Sequence, residues 1–313
     1  MLLSIVVPVY NEAENVKLLV HKLQESLNNI NYEIIFVDDG SNDNTIQEII
    51  DIKAFNISVI AFTRNFGQTS ALAAGIEYTR GEYIATLDGD LQNDPSDILI
   101  MLDYLIRNKL DIVAGRRLNR QDNYLRNIPS KIANYLIRKL TKVEIQDYGC
   151  TLKVFKASIA KNLDLYGELH RFIPILAELQ GAKIGEIGVK HHPRIYGTSK
   201  YGLNRTIKVI SDLLLMYFFQ KYKQKPMHLF GNLGIIMFMI GGVIELYLLC
   251  MKFLGENIGT RPLFYVGILF LIASIQFITT GFLAELMMRT YYSVGNKKPY
   301  SIEHIYKNDQ NNE

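Results

Sequence analysis

The chain has 313 residues, 49% of them hydrophobic, and a formal charge of +3. This length is enough for one large domain or two modest ones with a full core. Its two cysteines, Cys150 and Cys250, lie far apart with no CxxC pattern. That excludes a disulfide framework and a thiolate zinc site, and it is typical of a reducing compartment.

The charge is unevenly distributed along the chain. Residues 1–106 carry a net charge of −11, residues 107–142 a net charge of +8, and residues 194–225 a net charge of +6. Two basic blocks beside an apolar tail predict contact with membrane lipids or with an anionic substrate. No aromatic-rich RNA-binding motif or helix-turn-helix pattern accompanies them, so nucleic acid is not expected as a partner.

The first 115 residues alternate strand and helix patterns. The opening MLLSIVVPVYNE is predicted to be a first core strand and not a signal peptide. Between the strands lie segments of helical periodicity. The predicted strands are residues 4–10, 33–40, 58–63, 83–88 and 111–115. Apolar, β-branched strands separated by amphipathic helices indicate an α/β fold with a mostly parallel sheet covered on both faces.

Polar clusters follow four of these strands. They are Tyr10-Asn11-Glu12, Asp38-Asp39-Gly40, Arg64-Asn65 and Asp88-Gly89-Asp90. Because ligands bind beyond the carboxyl ends of parallel strands, these clusters predict one site at one edge of the sheet.

The last cluster is predicted to hold a metal. Asp88, Asp90 and Gln92 can offer three oxygens to Mg²⁺ or Mn²⁺, which bind through carboxylates and substrate phosphates. Asp-Gly is also a hairpin-turn signal, but its place after a buried strand favours the metal. The chain has no GxGxxG and no P-loop motif, so a nucleotide held through a metal on its diphosphate fits better. Asp38 and Asp39 are placed to bind a ribose hydroxyl or a base edge.

The second half of the chain is predicted to meet a membrane. Amphipathic helices at about 121–140 and 203–217 have basic residues between their apolar ones, which favours the membrane interface over an ordinary packed surface. Residues 229–254 and 263–288 are each long enough to cross a hydrocarbon core of about 30 Å. Lysines before and after this hairpin predict that the α/β domain and both termini are cytoplasmic.

These elements predict four regions. They are an α/β domain at 1–200, a juxtamembrane helix at 201–226, two transmembrane helices within 227–290 and a polar tail at 291–313. Glu245, Gln276 and Glu285 in the spans are expected to face a helix partner or another subunit.

The motifs resemble those of a known family. VPVYNE (7–12), VDDGSNDNT (37–45), TRNFGQTSAL (63–72) and LDGDLQNDP (87–95) are similar to successive motifs of glycosyltransferase family 2, which has the Rossmann-like GT-A fold. AGRR (114–117), QDYGCTLKVFK (146–156) and PRIYGTSKY (193–201) resemble the polyisoprenyl-phosphate glycosyltransferases, the group of bactoprenol glucosyltransferase and dolichyl-phosphate mannose synthase.

The resemblance implies an inverting transfer of one sugar from a nucleotide-sugar to polyprenyl (undecaprenyl) phosphate at the cytoplasmic face of the inner membrane. UDP-glucose is the first expected donor; GDP-mannose, UDP-N-acetylhexosamine and UDP-formamido-arabinose are alternatives. A processive synthase is disfavoured because its QxxRW motif needs a tryptophan, and the chain has none. A non-catalytic membrane scaffold is the alternative outside the enzymes. A homo-oligomer, by resemblance a tetramer, is also implied.

The resemblance also assigns roles to individual residues. Asp90 and Asp147 would be catalytic, with Asp147 either a base or a positioning group. Gln68 departs from the family's usual Lys or His. Nucleotide contacts are assigned to Pro8, Tyr10, Glu12, Asp38, Asp39, Arg64, Asp88 and Gly89. Acceptor phosphate and diphosphate contacts are assigned to Arg117, Arg126, Ser130, Arg194 and Lys200. Solvated surface charge at Arg116 and Arg117 and a plain loop at residues 196–200 are the structural alternatives.

Overall fold

A computed structural model describes residues 2–118, 143–194, 225–259 and 261–294, together with 215, 217–219, 221 and 222. The chain divides into two compact units, Met1–Met216 and Tyr217–Glu313. The division falls within the predicted juxtamembrane segment 201–226. The amphipathic helix predicted at 121–140 lies outside the described residues, and so does almost all of the one at 203–217.

The first unit is built on seven strands. They are β1 (Leu2–Val9), β2 (Asn31–Asp38), β3 (Ile57–Ala61), β4 (Tyr83–Thr86), β5 (Ile112–Arg117), β6 (Lys153–Lys156) and β7 (Ile184–Val189). Its helices are α1 (Ala13–Ser26), α2 (Thr45–Ile50), α3 (Gln68–Tyr78), α4 (Asp97–Arg107), α5 (Ala157–Ala160) and α6 (Ile173–Leu179), with a 3₁₀ turn at Leu169–Phe172. The five strands predicted from the sequence are confirmed, with ends shifted by at most two residues.

The strands form one mixed sheet in the order β3-β2-β1-β4-β6-β5-β7. Strands β1 to β4 are mutually parallel where they pair, and β5 pairs parallel with β7. Strand β6 lies antiparallel between β4 and β5. The sequence pattern did not predict β6, because a four-residue strand with a lysine at each end, Lys153 and Lys156, has no apolar run to mark it.

Helices cover both faces of the sheet, as the apolar strands predict. Along β1, Leu3, Ile5 and Val7 pack in one cluster with residues of α1 and α4. Val6, on the opposite face, packs in a second cluster with residues of α3 and α6. This two-sided burial fixes the register of the strands, because a one-residue slip would exchange the two faces.

The second unit contains α7 (Pro226–Phe253) and α8 (Pro262–Val294). The windows Pro226–Phe253 and Pro262–Thr290 are long and apolar enough to cross a membrane, judged by length and composition. Both helices are therefore confirmed as the apolar hairpin that the sequence predicts. The carboxylate of Glu245 on α7 lies against Gly267 on α8, and its Oε1 has no hydrogen-bond partner within the described part of the chain.

Candidate active site

The turn after β4 carries the two carboxylates of the predicted metal site. The chain reverses through Gly89, Asp90 and Leu91, and Leu91 adopts a left-handed backbone with φ +61°. A left-handed conformation costs a residue with a side chain about 1–2 kcal/mol, so the surrounding packing must hold this turn. The backbone N–H of Gln92 donates to Asp90 Oδ1 at 3.2 Å, which fixes the orientation of that carboxylate.

Gly89 brings this turn against the end of β1. A Cβ added to Gly89 would lie 2.8 Å from Val9 Cγ1 and close to the carbonyl of Pro8 and the side chain of Glu12. Such a distance is shorter than carbon atoms tolerate, so the close approach requires glycine. The predicted nucleotide residues Pro8 and Glu12 therefore lie beside the Asp88–Asp90 turn.

An arginine from the far edge of the sheet reaches the same turn. Arg194 Nη2 lies 2.6 Å from Asp90 Oδ2, and Arg194 Nη1 lies 4.0 Å from Glu12 Oε1. The segment before Arg194 is held to the turn by a bridge between Asn93 and His191 and by donation from His192 N to Gln92 O at 2.8 Å. The predicted phosphate-binding residue Arg194 thus lies at the predicted metal site.

Asp94 strengthens this attachment. Its carboxylate lies 3.3 Å from His192 Nε2 and 3.5 Å from Lys190 Nζ. Burial opposes ionisation, but hydrogen bonds from Ser96 and His192, with the charge of Lys190, lower the pKa of Asp94 to about 2. The sequence pattern gave Asp94 no role.

The end of β2 supports the neighbouring loop. Both oxygens of Asp39 accept backbone N–H groups of the loop before α3, from Phe66 at 2.7 Å and from Gly67 at 2.9 and 3.2 Å. Asp39 therefore fixes this loop, a contact that the sequence did not predict. Gly40, with φ +74°, lets the β2 turn touch the backbone of Arg64, where a Cβ would meet atoms at 2.5–2.8 Å.

Asp38 is placed differently from Asp39. It is fully buried, and its Oδ2 accepts the backbone N–H of Ser41 at 2.9 Å. Its Oδ1 has no hydrogen-bond partner within the residues that the structure describes. A buried oxygen without a donor is costly, so the packing around Asp38 must offset this loss. Arg64 lies with its guanidinium 4.5 Å from the ring centre of Phe66. Tyr10 follows β1 at the same edge.

A second polar cluster joins the end of β5 to the segment before β6. Arg117 and Asp147 form a bidentate ion pair, in which Arg117 Nε lies 2.7 Å from Asp147 Oδ2 and Arg117 Nη2 lies 2.8 Å from Asp147 Oδ1. Asp147 also accepts from the backbone N–H of Arg117 at 3.3 Å and of Gly149 at 3.1 Å. The alternative that Arg117 is solvated surface charge is wrong, because only 14% of its side chain is exposed.

Asp88 has partners that the sequence did not predict. Gln68 Nε2 donates to Asp88 Oδ1 at 2.7 Å, and Thr151 also hydrogen-bonds this carboxylate. Desolvation and the nearby charge of Asp90 raise the pKa of Asp88 to about 7.

Lys153 is 2% exposed, and its ammonium donates to the Cys150 carbonyl. Burial lowers the pKa of Lys153. The sequence pattern marks none of these residues, because a buried lysine and the contact between Gln68 and Asp88 both depend on the folded sheet.

The carboxylate pair fits a hard divalent ion. No group of three or more His, Cys, Asp or Glu side chains placed to hold a metal occurs within the described ranges. Mg²⁺ and Mn²⁺ commonly bind through one or two carboxylates and complete their shell with water and substrate phosphates. Asp88 and Asp90 provide such a set. Arg126, Ser130 and Lys200 lie outside the described residues.

A mostly parallel sheet with two carboxylates after its fourth strand, and cationic and acidic side chains converging on the same edge, is the arrangement of a GT-A glycosyltransferase. The family described as Glycosyl transferase family 2 matches residues 4–164. The chain belongs to this family and is a glycosyltransferase.

Two curated relatives cover nearly the whole chain. A dodecaprenyl-phosphate galacturonate synthase of Rhizobium johnstonii is 46% identical over 313 aligned residues, which cover 97% of this chain and 93% of the relative. An undecaprenyl-phosphate 4-deoxy-4-formamido-L-arabinose transferase of Pseudomonas fluorescens is 35% identical over 312 residues, which cover 97% and 90%.

A solved structure has the same fold. The glucosyl-3-phosphoglycerate synthase of Mycobacterium tuberculosis, in complex with Mn²⁺, uridine diphosphate and glucosyl-3-phosphoglycerate, superposes with a TM-score of 0.54. The superposed residues cover 70% of this chain and 79% of the synthase, at 13% sequence identity.

Proposed function

We propose that the protein transfers one sugar, a hexuronic acid of the galacturonate type, from a nucleoside diphosphate sugar to a polyprenyl phosphate. The convergence of Asp88, Asp90 and Arg194 at one sheet edge carries the proposal, because this group suits a reaction between two phosphate-bearing substrates. The sugar rests on the 46% identity to the galacturonate synthase. The relatives described above are named for galacturonate and formamido-arabinose, so they do not support the UDP-glucose that the sequence led us to expect.

Asp88 and Asp90, with the predicted ligand Gln92, would hold Mg²⁺ or Mn²⁺ against the donor diphosphate. Such an ion supplies Lewis-acid stabilisation of the charge that develops on the leaving diphosphate. Pro8, Glu12 and Asp38 lie at the strand ends where the nucleotide would bind.

The acceptor phosphate would bind beside these residues. Arginine offers a forked donor that matches phosphate oxygens, so Arg194 suits the oxygens of the lipid phosphate or of the diphosphate. A phosphate monoester with a second pKa of about 6 is largely a dianion at pH 7. It can therefore attack the anomeric carbon without the help of a base. Asp147 already accepts four hydrogen bonds, two of them from the Arg117 side chain. This saturation favours a positioning role for Asp147 over that of a base.

We also propose that α7 and α8 span the inner membrane, with the catalytic unit and both termini cytoplasmic. The apolar length of both helices and the flanking lysines support this arrangement. The tetramer implied by the resemblance stays a prediction.

The test is a transfer assay with purified full-length protein in detergent and Mn²⁺. Radiolabelled UDP-galacturonate, UDP-glucose, UDP-formamido-arabinose, UDP-N-acetylglucosamine and GDP-mannose are offered separately, with dodecaprenyl or undecaprenyl phosphate. We expect lipid-extractable label from UDP-galacturonate, and a loss of about a hundredfold or more with Asp90→Asn or EDTA. Asp103→Asn, an exposed aspartate on α4, is the matched control. Transfer from another donor only would contradict the sugar, and no transfer from any donor would contradict the reaction.

A further inference from the structure

Gln68 is the first residue of α3, and its side chain contacts one of the two metal-site carboxylates. Its Nε2 donates to Asp88 Oδ1 at 2.7 Å. A carboxylate that accepts a fixed donor on one oxygen loses rotational freedom, so this bond helps to set the direction in which Asp88 presents its remaining lone pairs. Thr151 hydrogen-bonds Asp88 as well.

Gln68 is anchored on both sides along the chain. Before it, the backbone N–H groups of Phe66 and Gly67 donate to the buried carboxylate of Asp39. After it, Thr69 Oγ1 lies 2.8 Å from His170 Nδ1, and the two residues are 1% and 6% exposed. The start of α3 is therefore fixed to β2 and to the 3₁₀ turn, which holds the Gln68 amide in place.

The neutral amide suits this position. Gln68 donates a hydrogen bond without neutralising Asp88, whereas an ammonium there would pair with the carboxylate and compete with a divalent cation. Carboxylates that ligate metals are themselves hydrogen-bonded in proteins, and loss of such an outer partner typically costs about 10- to 100-fold in metal affinity or activity.

We propose that Gln68 is a positioning residue for the divalent ion, acting through Asp88, with the Thr69–His170 contact as its support. The proposal rests on the metal site proposed above. It assigns a role to the position at which the chain departs from the family pattern.

The test compares Gln68→Met, which keeps the length of the side chain but removes its donor, with wild type. Mn²⁺ is titrated into full-length protein in detergent with UDP, and free Mn²⁺ is followed by its EPR signal. We expect the Mn²⁺ dissociation constant to rise about 10- to 100-fold in Gln68→Met, and by a smaller factor in Thr69→Val. Gln47→Met is the matched control, because Gln47 makes the same kind of bond to Asp51 at 2.8 Å on the surface of α2.

Activity gives an independent reading. The Mn²⁺ concentration at half-maximal transfer should rise by the same factor in Gln68→Met. The KM for polyprenyl phosphate should stay within about twofold of wild type, and the melting temperature within about 2 °C. Unchanged Mn²⁺ affinity in Gln68→Met, with binding lost in Asp90→Asn, overturns the role of Gln68 alone. Wild-type protein that binds no Mn²⁺ overturns the metal site together with this role.

Discussion

The pair Arg117–Asp147 gives the sharpest test of how the site is held together. The two side chains are 14% and 10% exposed and share two charge-assisted hydrogen bonds of 2.7 and 2.8 Å. Removing one partner of a buried ion pair costs about 3–5 kcal/mol, because the other charge stays buried without compensation. The slight exposure of this pair places the expected loss for Asp147→Asn near 3 kcal/mol. At about 2–4 °C per kcal/mol for a domain of this size, the melting temperature should fall by about 6–12 °C.

The structure supplies the probe for this measurement. Cys150 is 1% exposed and lies next to the pair, so a thiol-reactive dye reports its exposure when the first unit unfolds. Cys250 is exposed and is replaced by serine in every protein compared. Arg117→Met and the double variant complete a double-mutant cycle, in which coupled residues lose less together than the sum of their single losses.

Activity distinguishes the two roles of Asp147. If Asp147 acts by holding Arg117, then kcat/KM falls by the same factor in Arg117→Met, in Asp147→Asn and in the double variant. Single losses that multiply in the double variant would refute the positioning role, as would an Asp147→Asn protein that melts within 2 °C of wild type.

Three further predictions concern the turn after β4. Gly89→Ala should weaken Mn²⁺ binding about tenfold by EPR titration, because its Cβ would lie 2.8 Å from Val9 Cγ1, whereas Gly242→Ala, with nothing within 4 Å, should not. Asp94→Asn should lower stability by about 2 kcal/mol at pH 7 in urea unfolding. The pKa of Asp94 in the folded state, about 2, lies below its unfolded value, so the stabilisation by ionised Asp94 is present above about pH 4 and is lost as the pH falls through about 2. An Asp94→Asn variant that loses as much stability at pH 2 as at pH 7 would contradict this prediction. Asp88→Asn should raise the melting temperature in EDTA at pH 8 but not at pH 4. The pKa of Asp88 is raised to about 7, so its ionised form destabilises the folded state only as the pH rises. A gain in melting temperature that is independent of pH would contradict this cause.

Local pattern was enough to predict much of this molecule. The strands that end at or just before Asp38, Arg64 and Asp88 are apolar runs followed by polar residues, and parallel pairing brings such ends to one edge. The apolar hairpin follows from length alone, since few other structures need some 20 successive apolar residues.

The rest depends on contacts between distant residues. The partners Gln68–Asp88 and Arg117–Asp147 are 20 and 30 residues apart, and no period connects them. Strand β6 is short and contains buried Lys153, which a hydropathy pattern assigns to the surface. Asp39 is predicted to contact the nucleotide from its place at a strand end, and no local pattern indicates that its carboxylate also accepts the backbone N–H of Phe66.

The antiparallel β6 also has an evolutionary consequence. The chain leaves the sheet at Arg117 and returns beside it at Asp147, where the ion pair and the backbone donation at 3.3 Å close the segment like the stem of a hairpin. The two ends of the intervening residues therefore lie close together, and β6 pairs with β4 and β5 beside them. A segment whose two ends are anchored in this way can change in length and sequence between homologues while the sheet beside it keeps its framework.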